Sequence, residues 1–379
     1  MNASEAERLA RVTLNSVGEP GNLRLASTVA ELGAETVLEA LRERPDDLGH
    51  DLAARLRTAD PARSLEAADK LGLRFVIPGD PEWPDALLDL GRCGPLHERG
   101  GIPLGLWLRG PLSVAEAARQ AVAVVGSRSA TTYGEGVAGD LSAGLARDGR
   151  TVISGAAFGI DQAAHRAALA TRGPTVAVLA CGADRVYPAA HKRLLDYIAD
   201  VGVIVSEAPI GGAPTRIRFL ARNRLIAALA QGTVVVEAAV RSGALNTASW
   251  AGALGRVVMG VPGPVTSEPS AGVHQLIRGR DALLVTRAEE VLEAVAPIGT
   301  HTLTDLREEE GLRDRLTAQE RQVLDAVPVR HGAPAASIAR TAGLAPAKTS
   351  AALSRLEDLG LVVGQGERWH LAAQVDESA

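Results

Sequence analysis

Between Arg119 and Ala296 the chain alternates short β-branched apolar runs with longer Ala/Leu-rich stretches, and this alternation leaves few folds open to it. The runs are Ala121 to Val125, Thr151 to Ser154, Val176 to Leu179, Gly202 to Ser206, Thr233 to Glu237, Val257 to Val261 and Ala282 to Val285. Most are apolar at every position, as strands covered by helices on both faces must be. The stretches between them, Gly136 to Arg147, Ala163 to Thr171, His191 to Ala199, Leu220 to Ala230 and Ala244 to Leu254, are long enough for helical crossovers. Strand, crossover helix and parallel strand, repeated, predict an α/β fold with an extended, Rossmann-like, doubly wound and mostly parallel sheet. Such a sheet binds ligands outside the carboxyl ends of its strands.

The flanks read differently. Residues 1–71 carry Leu and Ala at helical spacing and no convincing strand, which predicts a small helical domain of SAM or helix-hairpin-helix type. Val17-Gly18-Glu19-Pro20-Gly21 fits the turn of such a module, whose amides would meet a phosphate, and fits a helical interaction domain equally well. Phe75 to Pro78 and Leu106 to Gly110 are expected as strands extending the sheet, so the Rossmann-like domain covers 72–296. Residues 297–316 are polar, include Glu308-Glu309-Glu310, and read as a linker. Thr317-Ala318-Gln319-Glu320 is a capping box, Ala335 to Thr341 a second helix, and Pro346 the start of a third that ends at Gly360. A β-hairpin over Leu361 to Leu371 completes a winged helix-turn-helix at 317–373, followed by a tail at 374–379.

At 379 residues and 46% hydrophobic content, two or three domains are expected. The two cysteines, Cys93 and Cys181, supply neither a disulfide framework nor a zinc cluster and fit a reducing cytosol. The most apolar stretch, Ile226 to Val240, is broken by Gln231, Gly232 and Glu237, and the first residues have no signal core, so a soluble cytoplasmic protein is expected. A net charge of −5 excludes indiscriminate polyanion binding, so any nucleic-acid site must be a local basic patch.

Four segments carry candidate chemistry. Gly126-Ser127-Arg128 ends a buried strand with a close-approach glycine, a hydroxyl and a guanidinium fork suited to phosphate, although a tight turn wants glycine for steric reasons alone. Neither a G-x-G-x-x-G fingerprint nor a Walker loop is present. Ser154 and Gly155, with Gly159 beyond, close a second strand; there Asp161 and His165 share a helical face without a third metal ligand, and are read as fixing the turn and satisfying buried polar groups. The densest patch is Arg216, Arg218, Arg222 and Arg224 with Phe219 among them. Arginines neutralise phosphates and an aromatic stacks on an unpaired base, while one or two of the four are expected to bridge carboxylates such as Glu207 or Glu237. A fourth strand end delivers Arg241-Ser242-Gly243 to the start of a helix whose amides face the same edge.

In order and spacing, VAVVGSR, SGAAFGIDQAAH, AVLACGADRVYP, SEAPIGGAPTRIRFLARNRLIAAL, VVVEAAVRSGALNTA and VPGPVTSEPSAGVHQLI resemble the DNA-processing protein A (DprA/Smf) family from about Phe75 to Val285. The resemblance implies a non-enzymatic, cofactor-free and metal-free protein that binds single-stranded DNA, forms homodimers and loads the RecA recombinase during natural transformation and recombination. Single-strand-binding protein would be a further partner. By position it makes Ser127 and Arg128 the phosphate-binding turn, Arg216 a second cationic contact, Phe219 the stacking aromatic, and Arg222, Asn223 and Arg224 the R-N-R signature. It makes Gly272 to Ile277, with His274 and Ile277, and Leu283 the dimer interface. Departures fall at His191 (usually Asn), Leu220 (usually Pro) and Asn246 (usually apolar). A nucleotide phosphoribohydrolase on a related core is the enzyme alternative, but it needs P-G-G-x-G-T-x-x-E, and no Glu stands three residues after Thr247. A winged-helix regulator is the other. Against it, residues 317–379 hold one more acidic than basic side chain, whereas groove-reading domains are normally basic.

Overall fold

The computed structural model describes residues 4–44, 50–297, 300–301 and 315–372. Five helices come first: α1 (Glu5–Val17), α2 (Leu23–Leu32), α3 (Ala34–Glu43), α4 (His50–Thr58) and α5 (Pro61–Lys70). Short polar residues start three of them, as orphan amides require: Ser4 accepts from Glu7 N, Asn22 from Leu25 N, and Asp60 from Arg63 N just before Pro61. Leu14, Val17, Val29, Val37 and Leu38 close a small core of their own. The helices are nonetheless part of the same compact unit as the sheet, Met1–Leu303. Arg8 grips Asp80 through both nitrogens at 2.7 and 2.8 Å, and Asn15 accepts from the Trp107 indole at 3.0 Å while donating to the Glu207 carbonyl at 2.7 Å.

The sheet follows. Its strands are β1 (Leu73–Val76), β2 (Leu106–Arg109), β3 (Ala121–Val125), β4 (Thr151–Ser154), β5 (Thr175–Leu179), β6 (Val203–Ser206), β7 (Gly232–Val235), β8 (Val257–Gly260) and β9 (Leu283–Leu284), in the order β1-β2-β6-β5-β4-β3-β7-β8-β9. Strands β3 to β9 pair in parallel, and the β1–β2 pair joins antiparallel at β6. The connecting helices are α6 (Val114–Arg119), α7 (Thr132–Arg147), α8 (Ile160–Ala170), α9 (Lys192–Val201), α10 (Arg216–Leu229), α11 (Gly243–Ala253), α12 (Glu268–Gly279) and α13 (Ala288–Val295). The pleat explains the continuously apolar runs: Ala123 and Val125 pack with Leu225 and Trp250 on one face, Val122 and Val124 with Leu141 and Ile160 on the other.

From β3 the chain winds outward through β4, β5 and β6, then returns to place β7 on the other side of β3. The strand order therefore reverses at β3, which opens a crevice above the carboxyl ends of β3 and β7. At the far edge, β9 bears two consecutive leucines, Leu283 and Leu284, that are 55% and 53% exposed. Neighbouring strand residues point to opposite faces, so both faces of this edge are bare.

The second unit, Thr304–Ala379, holds α14 (Ala318–Ala326), α15 (Ala335–Ala342) and α16 (Pro346–Asp358), with strands β10 (Ala333–Pro334), β11 (Val362–Gln365) and β12 (Arg368–Leu371) ordered β10-β12-β11. Thr317 and Glu320 form the expected capping box, and Pro346 opens α16. Val323, Ile338, Leu353, Leu356 and Val362 make the core. Most of the expected linker 297–316 and all of the tail 374–379 lie outside the described residues.

Candidate nucleic-acid interface

The crevice at the reversal is a groove of about 920 Å³, walled by the turn after β3, the first turns of α10 and α11, and His97. Of the residues picked from the sequence, Gly126, Ser127, Arg128, Arg216, Phe219, Arg222, Asn223, Ser242 and Gly243 line it together. Ser127 Oγ accepts from Ser129 N at 3.2 Å, which holds the turn open toward the groove. A Cβ at Gly126 would strike Ile160 and the Glu237 carbonyl, so this glycine is required by packing before any ligand arrives.

Charge in the groove is one-sided. Arg128, Arg216 and Arg241 are exposed and make no ion pair among the described residues, and Asp161 is the one carboxylate on the lining. Asp161 is itself buried, accepting from Gly155 N at 3.1 Å and Ala157 N at 3.3 Å, so it fixes the turn after β4. Burial pushes its carboxyl up, with the Arg222 guanidinium pulling the other way. Burial likewise lowers Arg222 to about 10; its Nη1 donates to the Val178 carbonyl at 3.1 Å, and its Nε is buried without a partner among the described residues.

Phe219 belongs to no core cluster. The Arg128 guanidinium sits 4.5 Å over its ring and the Tyr187 ring 5.8 Å away. Together with Phe158, these side chains border a small slot of about 50 Å³ at the ends of β4 and β5. Phe158 is 45% and Tyr187 43% exposed, in a chain with only three Phe and three Tyr. Neither was singled out in the sequence, because each stands alone in its loop and only folding joins them. Arg241 lines the groove as the strand end before Ser242 and Gly243 suggested, whereas Asn246, one turn further on, was not expected there. His97 comes from the turn before β2 and carried no local signal.

Several expectations are corrected. Arg224 has no exposed surface: its guanidinium forks onto Glu207 at 2.7 and 2.8 Å and also meets the Ala221 carbonyl, so it cannot touch DNA. Arg218 is held by Glu19 at 2.9 Å through two nitrogens. Two of the four arginines are thus structural, and Glu207 is one of the expected bridging partners. Glu237 instead braces the start of α7, accepting from Thr131 N at 2.9 Å and Thr131 Oγ1 at 2.6 Å. Ser154 is fully buried and donates to the Val124 carbonyl at 2.7 Å, and Gly155 is bare because a Cβ would overlap Arg222. Gly159 adopts φ +71° as the N-cap of α8 and packs under the Ser127 carbonyl, a conformational role. The Val17–Gly21 turn has no amide to spare at Gly21, whose N–H meets Glu207 Oε1 at 3.3 Å.

His165 is buried; its Nδ1 lies 2.8 Å from Thr175 Oγ1, and that hydroxyl already donates to Val152 O, so the ring donates from Nδ1. Burial, then the charges of His191 and Arg222, bring its pKa to about 3, and the ring is neutral. His191 fits its position by bonding Ala156 O at 3.0 Å. No cluster of three or more His, Cys, Asp or Glu residues able to hold a metal exists among the described residues.

A family model for DNA recombination-mediator protein A matches residues 74–296, the sheet from the second residue of β1 onward and every wall of the groove. The chain belongs to that family. A Mycobacterium tuberculosis protein assigned as a DNA processing protein DprA is 47% identical over 364 residues, covering 94% of this chain and 92% of that one. The crystal structure of DNA processing protein A from Streptococcus pneumoniae superposes with a TM-score of 0.63 at 30% identity, covering 78% of this chain and all of that one. The Helicobacter pylori protein of the same name, solved for its single-stranded DNA binding mode, shares the fold with a TM-score of 0.50 at 24% identity, over 58% of this chain and 94% of that one. Among the described residues, no helix is long and apolar enough to cross a membrane.

Proposed function

We propose that this chain is a non-catalytic mediator of recombination that holds single-stranded DNA in the groove above β3 and β7 and passes it to a RecA-type recombinase in the cytoplasm. The observation that carries the reading is the gathering of exposed Arg128, Arg216 and Arg241, none of them ion-paired among the described residues, around a half-buried Phe219 whose ring lines the groove beneath the Arg128 guanidinium, in a protein of net charge −5. Cations spaced along a groove neutralise successive phosphates, and once Arg128 turns to a phosphate the Phe219 ring offers a face to an unpaired base that duplex DNA does not present. The family membership and the binding mode of the Helicobacter pylori relative support it. The enzyme alternative lacks its carboxylate: Trp250 stands where the Glu would be, and Glu237 is occupied by Thr131.

The reading includes a homodimer through β9 and α12, supported by the bare Leu283 and Leu284, with His274 and Ile277 on the adjoining helix. Two grooves in one particle would engage a single strand with added avidity. It also takes 317–373 as a winged helix. There Arg355 is paired with Glu320 at 3.0 Å, and the acidic side chains of 317–379 outnumber the basic ones, a balance that favours a protein partner over a duplex. The deciding experiment measures binding to single-stranded and duplex oligonucleotides, then recombinase loading on strands coated with single-strand-binding protein. Preference for the single strand and accelerated loading are expected; equal affinity for duplex, or nucleotide hydrolysis, overturns the reading.

A further inference from the structure

On the β7 side, the groove wall is the first turn of α11. Ser242 caps it by accepting from Ala244 N at 3.2 Å, Gly243 is exposed with open space where a Cβ would stand, and Arg241 projects just before it. Leu245 N is bonded to Ser242 O at 3.2 Å, so the eleven-residue helix presents there the positive end of its dipole and the Gly243 amide. One turn in lies Asn246, 7% exposed. Its Oδ1 accepts from Asn223 Nδ2 at 3.2 Å, and the same Nδ2 is 3.2 Å from Gly243 O, so the amide is braced in one orientation. Its own Nδ2 is buried and has no partner among the described residues.

A buried amide donor without an acceptor is costly and uncommon, and in a residue lining a binding groove the bound molecule is the natural source of the acceptor. The groups gathered here offer donors: the Arg241 guanidinium, the Gly243 amide and Asn246 Nδ2, the Asn246 oxygen being already engaged. A donor-only site with positive bias matches an acceptor-only anion. A nucleobase edge, which mostly mixes donors and acceptors, matches it poorly.

We propose that Arg241, Ser242, Gly243 and Asn246 form a phosphate subsite, separate from the Ser127–Arg128 turn across the strand reversal, in which Asn246 supplies the buried donor. The subsite deepens the single-stranded DNA reading and rests on it for its natural ligand: the strand's backbone is held on both sides of the crevice.

The test uses the full chain and two exchanges, Asn246→Asp, which replaces the donor with an acceptor, and Arg241→Ala at an exposed position. Calorimetric titration with inorganic pyrophosphate should show binding that each exchange weakens at least about tenfold, the worth of one hydrogen bond to a charged group. On an oligothymidylate and an abasic strand of equal length, Asn246→Asp should cost the same factor. Absence of pyrophosphate binding in the wild type, unchanged binding in both variants, or a loss confined to the base-bearing strand overturns the subsite. Pyrophosphate binding that responds as expected, in a protein that binds neither strand, would uphold the subsite and refute the DNA reading.

Discussion

Four arginines lie within nine residues of α10, and the structure divides them by accessibility, so their effects on salt dependence must differ. Arg216 is exposed and unpaired in the groove, Arg218 is engaged by Glu19, Arg224 is sealed against Glu207, and Arg222 lies beneath Phe219 near Asp161. Each phosphate neutralised on a single strand contributes about 0.7 to the log–log salt slope, so three free groove arginines give a slope of about −2 per protomer. Arg216→Ala should reduce it to about −1.4, so a fourfold rise in salt weakens the wild type roughly twentyfold and the variant roughly sevenfold. Arg218→Ala and Arg224→Ala release no counterion and should leave the slope unchanged, whatever they do to stability. Fluorescence anisotropy of a labelled oligothymidylate across a KCl series measures all four proteins. An unchanged slope for Arg216→Ala, or a reduction of the same size for Arg224→Ala, would refute the division between groove and frame.

Four further outcomes are expected. Arg224→Leu strands a buried carboxylate at Glu207 and should lower unfolding free energy by about 3–5 kcal/mol in urea titration. His165, held neutral with its pKa near 3 against an ordinary 6.5, contributes stability that is full above 6.5 and lost as pH falls toward 3. The loss should reach roughly 2 kcal/mol by pH 5, and a His165→Gln variant should show a flatter pH dependence over that range. Phe219→Ala should weaken strand binding by about 1–3 kcal/mol with little change in salt slope, whereas lowered thermal stability at normal affinity would make the ring a core residue. Leu283→Glu, at an exposed edge position, should give a monomer in sedimentation, and is a cleaner probe than Ile277→Glu because Ile277 packs against Gly260.

The doubly wound sheet was legible in the sequence because a strand buried on both faces must be apolar at every position, and β3 to β8 match the apolar runs within a residue or two at each end. The capping box at Thr317 and the proline at the start of α16 were equally local, since a helix terminus is satisfied by residues within one turn of it. Gly126, Ser127 and Arg128 were readable for a similar reason: carboxyl ends of parallel strands converge on one edge whatever the details of packing. What remained undetermined was which side chains that edge would leave free. Arg216 and Arg224 are the same residue type eight positions apart, yet Glu207, from the end of β6, takes one and leaves the other. Glu19, on the α1–α2 turn 199 residues from Arg218, removes another cation and turns an expected phosphate turn into an internal brace. The aromatic slot and the Asn223–Asn246 pair likewise join residues from different loops. Local sequence specifies elements through periodicity and caps, but the identity of a free cation, a groove-lining ring or an unpaired amide depends on long-range partners, and those exist only once the chain has closed on itself.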